Sequence, residues 1–447
     1  MQDLTTGSLT GHLLRTTGFM LVGMVMQTLY VLVDLYWVGQ LGTEAVAAVG
    51  VGGNVTFIVL AASQALGVGT TALVSQAVGR KDHEGARAVF GQSQLMSLTA
   101  GALFLLFTIS TQDLYVSALA ADAETARLAH EFLFWFLPAM ALQFGIVGMG
   151  AALRGTGRFQ PGMYVHAGSV VLNMILAPTF VFGWGPWEPM GVAGTALATF
   201  VAVLIATVAL SLYFVPTGAY LRLSGIGWRP DMARWKAILK IGLPAGAEFA
   251  FLAFYLFIVY VVIRPFGSAA QAGFSIGMRV LQSGFLPVIA LGFAVAPVAG
   301  QNFGAGHFHR VKATFREAVG LAVGAMLIFS VVAHFAPHAL LSPFSNDAEV
   351  LGVGADYLRV ISWSFAFSGV VFVSASLFQA IGNAVPPLIA AGARTTCSVI
   401  PLLLISRMPG FALRGIWWIS VIAVLVQTGV SLWFLRREFR HRLTTPA

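Results

Sequence analysis

Long apolar segments separated by short polar breaks constrain this chain more than any other feature. Twelve such stretches approach or exceed the ~20 residues that a bilayer-spanning helix needs. They lie near residues 14–38, 46–76, 88–110, 129–152, 162–182, 190–213, 238–263, 269–300, 313–336, 355–380, 385–406 and 412–435. Because the bilayer interior offers no water to backbone polar groups, each segment must form a helix. We predict an all-α integral membrane protein with twelve transmembrane helices.

The composition excludes most soluble functions. Of 447 residues, 58% are hydrophobic and 9% are charged, whereas a soluble domain carries about 25% charged residues. A soluble enzyme, a nucleic-acid-binding domain and a disordered protein are therefore excluded. The single cysteine, Cys397, excludes a disulfide framework and a cysteine-based metal site. His334 and His338 are four residues apart, but Pro337 lies between them, so we expect no metal there.

The basic residues predict the orientation of the helices. Of the 25 Lys and Arg residues, eighteen fall in the N-terminal arm, the even-numbered loops (2–3, 4–5, 6–7 and 8–9) and the C-terminal tail, and five on the opposite side. Two, Arg279 and Arg394, fall inside spans. By the positive-inside rule, both termini are predicted to lie in the cytoplasm, in a multi-pass protein of the plasma (inner) membrane. The net charge of +8 then reflects topology, and no nucleic-acid partner is expected.

The chain repeats itself at an offset of 225 residues. Three pairs of segments share this offset: GQLGTEAVAA (39–48) with RPFGSAAQAG (264–273), VSQAVGRKDHEGARAVF (74–90) with AGQNFGAGHFHRVKATF (299–315), and LRGTGRFQP (153–161) with FQAIGNAVP (378–386). We predict an N-lobe (1–215, helices 1–6), a cytoplasmic linker (216–236) and a C-lobe (237–447, helices 7–12). Because six is even, the repeat is parallel, with its pseudo-two-fold axis along the membrane normal. This architecture is typical of transporters, although a duplicated membrane protein without transport remains an alternative.

Two acidic residues lie deep enough in predicted spans to be functional candidates. A charge at the bilayer centre costs at least about 2.5–3.5 kcal/mol, so such residues are rarely incidental. Asp34 shares one face of the first helix with Gly23, Gln27 and Tyr30, forming a polar stripe. Its neighbours Tyr36 and Trp37 could instead form an interfacial aromatic belt, and Asp34 would then lie near the lipid headgroups. Glu248 is the second candidate.

Glu248 follows Pro244 by one turn in helix 7, with Phe251 and Tyr255 on its face. It could line a cavity or lie near the interface. Asn173, in the fifth span, could hold a carboxylate or ligate a cation, but asparagine also joins transmembrane helices by hydrogen bonds. Arg279 and Arg394 are candidates for structural anchors or counter-ions, and the sequence leaves their roles open.

The order of several motifs resembles that of the multidrug and toxic compound extrusion (MATE) transporters. The resemblance covers nearly the whole chain and depends on the strings QTLYVLVDLYWVGQLGTEAVAAVG, GVGTTALVSQAVGRKD, LRGTGRFQP, MGVAGTALAT, IGLPAGAE, GFAVAPVAGQNFGAG and LFQAIGNAVPP. It implies an antiporter that expels cationic or amphiphilic compounds in exchange for Na⁺ or H⁺, with no other cofactor. Small organic cations or drugs and the lipid bilayer are the implied partners, and a monomer is expected.

The resemblance also implies roles for individual residues. The family's cation-coupling aspartate falls on Asp34, and the asparagine that joins it falls on Asn173. Thr199 completes an N-lobe polar cluster that could hold H⁺ or Na⁺. The helix-7 glutamate of many members falls on Glu248. With Gln27, Tyr30 and Tyr255, it is expected to line the substrate cavity.

The chain departs from the family pattern at two places. Members with a full N-lobe cation site often carry a second aspartate one turn after the asparagine, and here that residue is Ala177. Other members carry an acid in helix 10, where this chain has only Ser362, Ser364 and Ser368. A lone carboxylate at Asp34 favours protons as the coupling ion.

The predicted function is multidrug efflux by alternating access. Two other transport functions remain: a MATE-related flippase for lipids or polysaccharide precursors, and a major-facilitator transporter, which also has two parallel six-helix halves. A membrane-embedded enzyme is not predicted, because no paired nucleophile or metal constellation is present.

Overall fold

The computed structural model consists of helices joined by short turns. The structure describes residues 2–120, 122–184, 188–215, 220–222, 229–406, 408 and 410–442. Twelve helical segments in these ranges are long and apolar enough to cross a membrane. The prediction of an all-α protein with twelve spans is therefore confirmed. Much of the predicted linker, at residues 216–219 and 223–228, lies outside the described residues, as does Arg407.

The chain divides into two compact units. The first comprises Met1–Asp3 and Phe19–Gly242, and the second comprises Leu4–Gly18 and Leu243–Ala447. The lobe boundaries at residues 215 and 237 remain predictions. The first half of the sequence forms helices α1 (Leu9–Gly39), α2 (Thr43–Gly79), α3 (His83–Leu119), α4 (Ala123–Gly155), α5 (Gln160–Phe182) and α6 (Val192–Tyr213).

The second half repeats this pattern, with an interruption in its tenth span. Its helices are α7 (Met232–Ile263), α8 (Ser268–Gly304), α9 (Phe308–Phe335), α10 (Pro337–Leu341), α11 (Ala348–Ile361), α12 (Phe365–Ala380), α13 (Val385–Ile405) and α14 (Leu413–His441). Short 3₁₀ turns follow α7 at Arg264–Phe266 and join α11 to α12 at Ser362–Ser364. In the second unit, Phe274 and Trp417 stack with ring centroids 5.5 Å apart in the core.

Several helices extend beyond the expected spans. α3 has 37 residues, or about 55 Å, against a hydrocarbon core of about 30 Å. Its start is fixed by Asp82, whose Oδ1 accepts a hydrogen bond of 2.8 Å from the backbone N–H of Gly85. Asp122 caps α4 in the same way by accepting from Thr125 N–H, and this bond lowers the pKa of Asp122. These polar caps lie at the breaks between apolar segments, where short polar side chains are favoured at the first position of a helix.

Side-chain amides hold the segments that precede α1 and α7. In the first unit, Gln92 Oε1 accepts from Asp231 N–H (2.9 Å) and Trp235 Nε1–H (2.8 Å), and Gln92 Nε2 donates to Arg229 O. In the second unit, Gln301 Oε1 accepts from Leu4 N–H at 3.0 Å. Each anchored segment lies just before a long membrane helix. The sequence alone gave no indication of these contacts.

The tenth span breaks where serine side chains compete for the backbone. Ser362 Oγ donates to Arg359 O at 2.7 Å, and Ser364 Oγ donates to Ile361 O at 2.7 Å. Such bonds to a carbonyl three residues earlier favour a tighter turn over a regular α-helix. Ser330 of α9 donates to Ser362 O at 2.9 Å, so that carbonyl is paired at the break. The hydropathy of residues 355–380 predicts one continuous helix. The break differs from that prediction because it depends on serine hydroxyl bonds within the span and on the contact from Ser330 of α9, neither of which hydropathy reports.

Close backbone packing between α2 and α7 depends on glycine. A Cβ atom on Gly242 would overlap the carbonyl oxygen of Ala65, and one on Gly69 would overlap that of Ile238. These contacts bring the first turns of α7 against α2 within the first unit. Small residues permit this approach between membrane helices.

The packing predicts the effect of adding one methyl group. We expect Gly242→Ala to destabilise the protein by about 1–3 kcal/mol, because two backbones must separate. Gly320→Ala is the control, since a Cβ there meets nothing within 4 Å, and its helix gains up to about 1 kcal/mol. The apparent melting temperatures of the purified variants in detergent test this. Equal melting temperatures for the two variants would contradict the proposed packing.

Candidate functional site

Three helices of the first unit bring together a buried hydrogen-bond network. Tyr30 comes from α1, Asn173 from α5 and Thr199 from α6. Thr199 Oγ1 lies 3.1 Å from Tyr30 Oη and 3.1 Å from Asn173 Nδ2. Asn173 is 3% exposed and Thr199 is 6% exposed, so both polar groups need partners within the protein. Three of the sequence-selected residues therefore meet at one point.

The threonine hydroxyl organises this network. Thr199 Oγ1 donates its hydrogen to Thr195 O at 3.1 Å, which uses its one donor. Its oxygen therefore accepts from both the Asn173 amide and the Tyr30 hydroxyl. This arrangement orients Tyr30 toward α6 and joins α1, α5 and α6 through a single oxygen.

Asp34 lies one turn beyond Tyr30 on α1 and stands apart from this network. Its Oδ1 is enclosed and, among the described residues, has no hydrogen-bond partner. The side chain is nonetheless close enough to Tyr30 for the two to interact electrostatically. An enclosed carboxyl oxygen without a donor is stabilised by a proton or by a bound cation. The geometry therefore provides one carboxyl group that can exchange such an ion.

The structure locates two positions of the family's N-lobe cation site, Ala177 and Thr199. The described ranges contain no cluster of three or more His, Cys, Asp or Glu side chains that could hold a metal ion. Ala177, where other members carry a second aspartate, is fully buried in an apolar cluster with Phe180 and Ala198. The Thr199 oxygen already accepts two hydrogen bonds. Ala177 therefore offers no carboxylate and Thr199 no uncommitted hydroxyl as a further ligand.

An aromatic cluster covers the end of α1 beyond Asp34. The Trp37 ring lies 5.0 Å from Tyr36, 5.9 Å from Phe182 and 5.9 Å from Trp184. Tyr36 and Trp184 are exposed, as expected of residues at a membrane interface. Asp34 lies about one turn before Trp37 and one turn after Tyr30 on α1. It is therefore next to both the aromatic residues of the interface and the polar stripe that the sequence predicts.

The predicted substrate-cavity residues are distributed over both units. In the first unit, Gln27 is exposed on α1 and takes no part in the Thr199 network, unlike Tyr30 on the same predicted stripe. In the second unit, Glu248 is half-buried on α7 and interacts with Gln379 of α12. Its Oε1 is enclosed and has no hydrogen-bond partner in the described part of the chain.

Tyr255 anchors α7 inside the second unit. Its hydroxyl lies 2.6 Å from Ser420 Oγ of α14. Because Ser420 donates its own hydrogen to Ile416 O, Tyr255 is the donor. The tyrosine is 8% exposed. Sequence analysis selected Tyr255 but not Ser420, since nothing in the sequence indicates that these two helices meet.

The family model MatE matches the chain at residues 20–179 and 244–405. These two ranges cover most of the sequence and fall one in each half of the repeat. The chain belongs to the MatE family. It is therefore a membrane transporter and not an enzyme, and the major-facilitator alternative is excluded.

Two bacterial relatives match this MATE transporter over nearly its full length. Multidrug export protein MepA of Staphylococcus haemolyticus (strain JCSC1435) is 26% identical over 432 residues, which cover 95% of this chain and 92% of the relative. Probable multidrug resistance protein YoeA of Bacillus subtilis (strain 168) is 26% identical over 412 residues, covering 89% and 87%.

A solved structure has the same fold as this MATE transporter. It is described as the outward-facing conformation of a multidrug resistance MATE family transporter of the MOP superfamily. The match has a TM-score of 0.90 at 24% identity and covers 99% of this chain and 98% of the other. At this identity, the likeness concerns the fold alone.

The Thr199 network predicts a stability loss that depends on the hydroxyl. Thr199→Val leaves the buried Asn173 amide without its acceptor, so we expect a destabilisation of about 1–3 kcal/mol. Thr207→Val, on the same helix, loses only a bond to its own Val203 carbonyl and should cost less. Thermal unfolding of the two variants in detergent measures the difference. A Thr199→Val protein as stable as Thr207→Val would contradict the organising role of Thr199.

Proposed function

We propose that this MATE transporter exports cationic and amphiphilic organic compounds by alternating access, in exchange for protons. The observation that supports this proposal best is the carboxyl group of Asp34, whose Oδ1 is enclosed and has no hydrogen-bond partner among the described residues, together with Ala177 in place of a second aspartate. A relative named a multidrug export protein and another named a probable multidrug resistance protein, both matched over most of their length, support organic compounds as the substrate class. A MATE-related flippase is the alternative. It would move lipids or polysaccharide precursors instead of soluble organic cations, so the transported compound distinguishes the two functions.

Proton binding at Asp34 would couple to the packing of α1. A charged Asp34 favours a hydrated position, whereas a neutral Asp34 can remain enclosed beside Tyr30. Since Tyr30 is tied to α5 and α6 through Thr199, a change at Asp34 acts on the same contacts. Coupling requires only that proton and substrate prefer different states of these helices.

Glu248 is the proposed contact for the positive charge of a substrate. Its Oε1 is enclosed and has no hydrogen-bond partner among the described residues, so the carboxylate lacks a counter-charge that an organic cation would supply. Phe251, one turn further along α7, lies on the same face of the helix as Glu248. Aromatic rings attract organic cations through their faces.

The proposed orientation places both termini in the cytoplasm, as the distribution of basic residues predicts. We also propose that the protein acts as a monomer in the inner membrane. Export then means that the substrate moves from the cytoplasmic to the outer side while protons move inward in exchange.

Replacement of the coupling carboxyl tests the mechanism. We expect Asp34→Asn to reduce proton-driven efflux of a fluorescent cation to the leak rate of empty liposomes, because asparagine cannot exchange a proton. The measurement uses proteoliposomes under separately imposed pH and Na⁺ gradients. Asp113→Asn is the control, since that aspartate side chain is 99% exposed. Efflux that follows the Na⁺ gradient alone, or persists in Asp34→Asn, would contradict proton coupling.

Replacement of Glu248 separates substrate contact from ion coupling. We expect Glu248→Gln to weaken binding of a cationic dye about tenfold, the effect of losing one charged contact. Binding is followed by dye fluorescence polarisation with the purified protein, without any gradient. Unchanged affinity would exclude Glu248 as the cation contact while leaving the role of Asp34 unaffected.

A further inference from the structure

A further deeply placed charge, Arg394, lies in the second unit and has no carboxylate partner among the described residues. Arg394 is at the middle of the 21-residue helix α13 (Val385–Ile405), about 14 Å from its first residue at 1.5 Å per residue. Its side chain is half-buried. Over the residues that the structure describes, its guanidinium forms no ion pair and no hydrogen bond. An arginine at this depth is costly unless something pairs with it.

The protein fixes the position of this guanidinium through an aromatic ring. The guanidinium carbon of Arg394 lies 5.4 Å from the centroid of the Tyr255 ring, within cation–π range. Tyr255 is itself held by its hydrogen bond to Ser420, so the ring is a rigid support. Arg394 also lies close enough to the Tyr357 hydroxyl for electrostatic interaction. One face of the guanidinium is therefore covered, while its N–H groups keep their donor capacity.

An unused set of planar donors at a fixed position matches the geometry of a carboxylate or sulfonate. We propose that Arg394 forms a binding site for the anionic group of an aromatic substrate, separate from the cation contact at Glu248. The inference extends the proposed export function by adding a class of group that the transporter accepts. Phe251, one turn before Tyr255 on α7, packs beside Gly392 of α13 and so adds a second aromatic contact between these two helices.

The depth of Arg394 favours a small molecule over a lipid headgroup as the source of the anion. Phosphates of lipids lie at the bilayer surface, about 15 Å from the centre of a 30 Å hydrocarbon core. A guanidinium at the middle of a membrane helix is far from that level.

Two dyes that share a xanthene frame and carry opposite charges test the site. Binding of fluorescein, which is anionic, and rhodamine 6G, which is cationic, is measured by fluorescence polarisation with purified protein and no ion gradient. We expect Arg394→Gln to weaken fluorescein binding about tenfold and to leave rhodamine 6G within about twofold, because only the former loses a charged contact. Glu248→Gln should produce the opposite pattern, and Arg394→Lys should retain part of the fluorescein affinity.

Arg279→Gln is the matched control, because Arg279 is another arginine within a predicted span and its side chain is exposed. It should leave both affinities unchanged. Equal losses for both dyes in Arg394→Gln would indicate a structural role and overturn the proposal, as would the absence of saturable fluorescein binding to the unmodified chain. Because no gradient is used, failure of proton coupling and failure of this site give separate results.

A lipid arm excludes the other source of anions. The titration is repeated in nanodiscs of phosphatidylcholine alone and in nanodiscs that also contain phosphatidylglycerol. We expect the same fluorescein affinity in both. Competition by phosphatidylglycerol that disappears in Arg394→Gln would assign the guanidinium to a lipid phosphate and overturn the proposal.

Discussion

Polar atoms inside a bilayer must find their hydrogen-bond partners within the protein, because the hydrocarbon supplies none. Helices satisfy the backbone in this way, and serine and threonine side chains such as Thr199 return their hydroxyl hydrogens to carbonyls of their own helix. Asn173, buried on α5, then relies on the Thr199 oxygen that remains. The same constraint makes Asp34 and Arg394 conspicuous. Their charged groups lie within membrane helices, and neither has an ion-pair partner among the described residues.

The fold could be predicted from sequence because hydropathy acts locally. Each apolar segment carries enough information to form its own helix, so all twelve spans were located from the sequence. The contacts of Gln92 and Gln301 could not be predicted in this way. Each amide holds a backbone segment more than 130 residues away in the chain. Such pairings depend on how complete helices pack, which residue spacing does not encode.

The candidate site shows a similar division. The energetic cost of burying a charge singled out Asp34 and Glu248 without any knowledge of the fold. The family resemblance brought Asn173 and Thr199 together, and the structure places them within hydrogen-bond distance of each other. The polar stripe on α1 was less informative, since Gln27 is exposed while Tyr30 is tied to α6. Helical periodicity groups residues on a face, but it does not identify which edge of that face meets a neighbour.

The 3₁₀ turn in the tenth span has a mechanical consequence. An unbroken helix transmits a push along its axis, as a rod does. Here α11 packs against α8, while α12 contacts both α8 and α9, and the turn between them is fastened sideways by Ser330 of α9. The two shorter helices α11 and α12 can change tilt separately, while the hydrogen bond from Ser330 keeps the turn between them against α9. Displacement at one membrane surface would then reach the other through α8 and α9, which contact both segments, rather than along the tenth span itself.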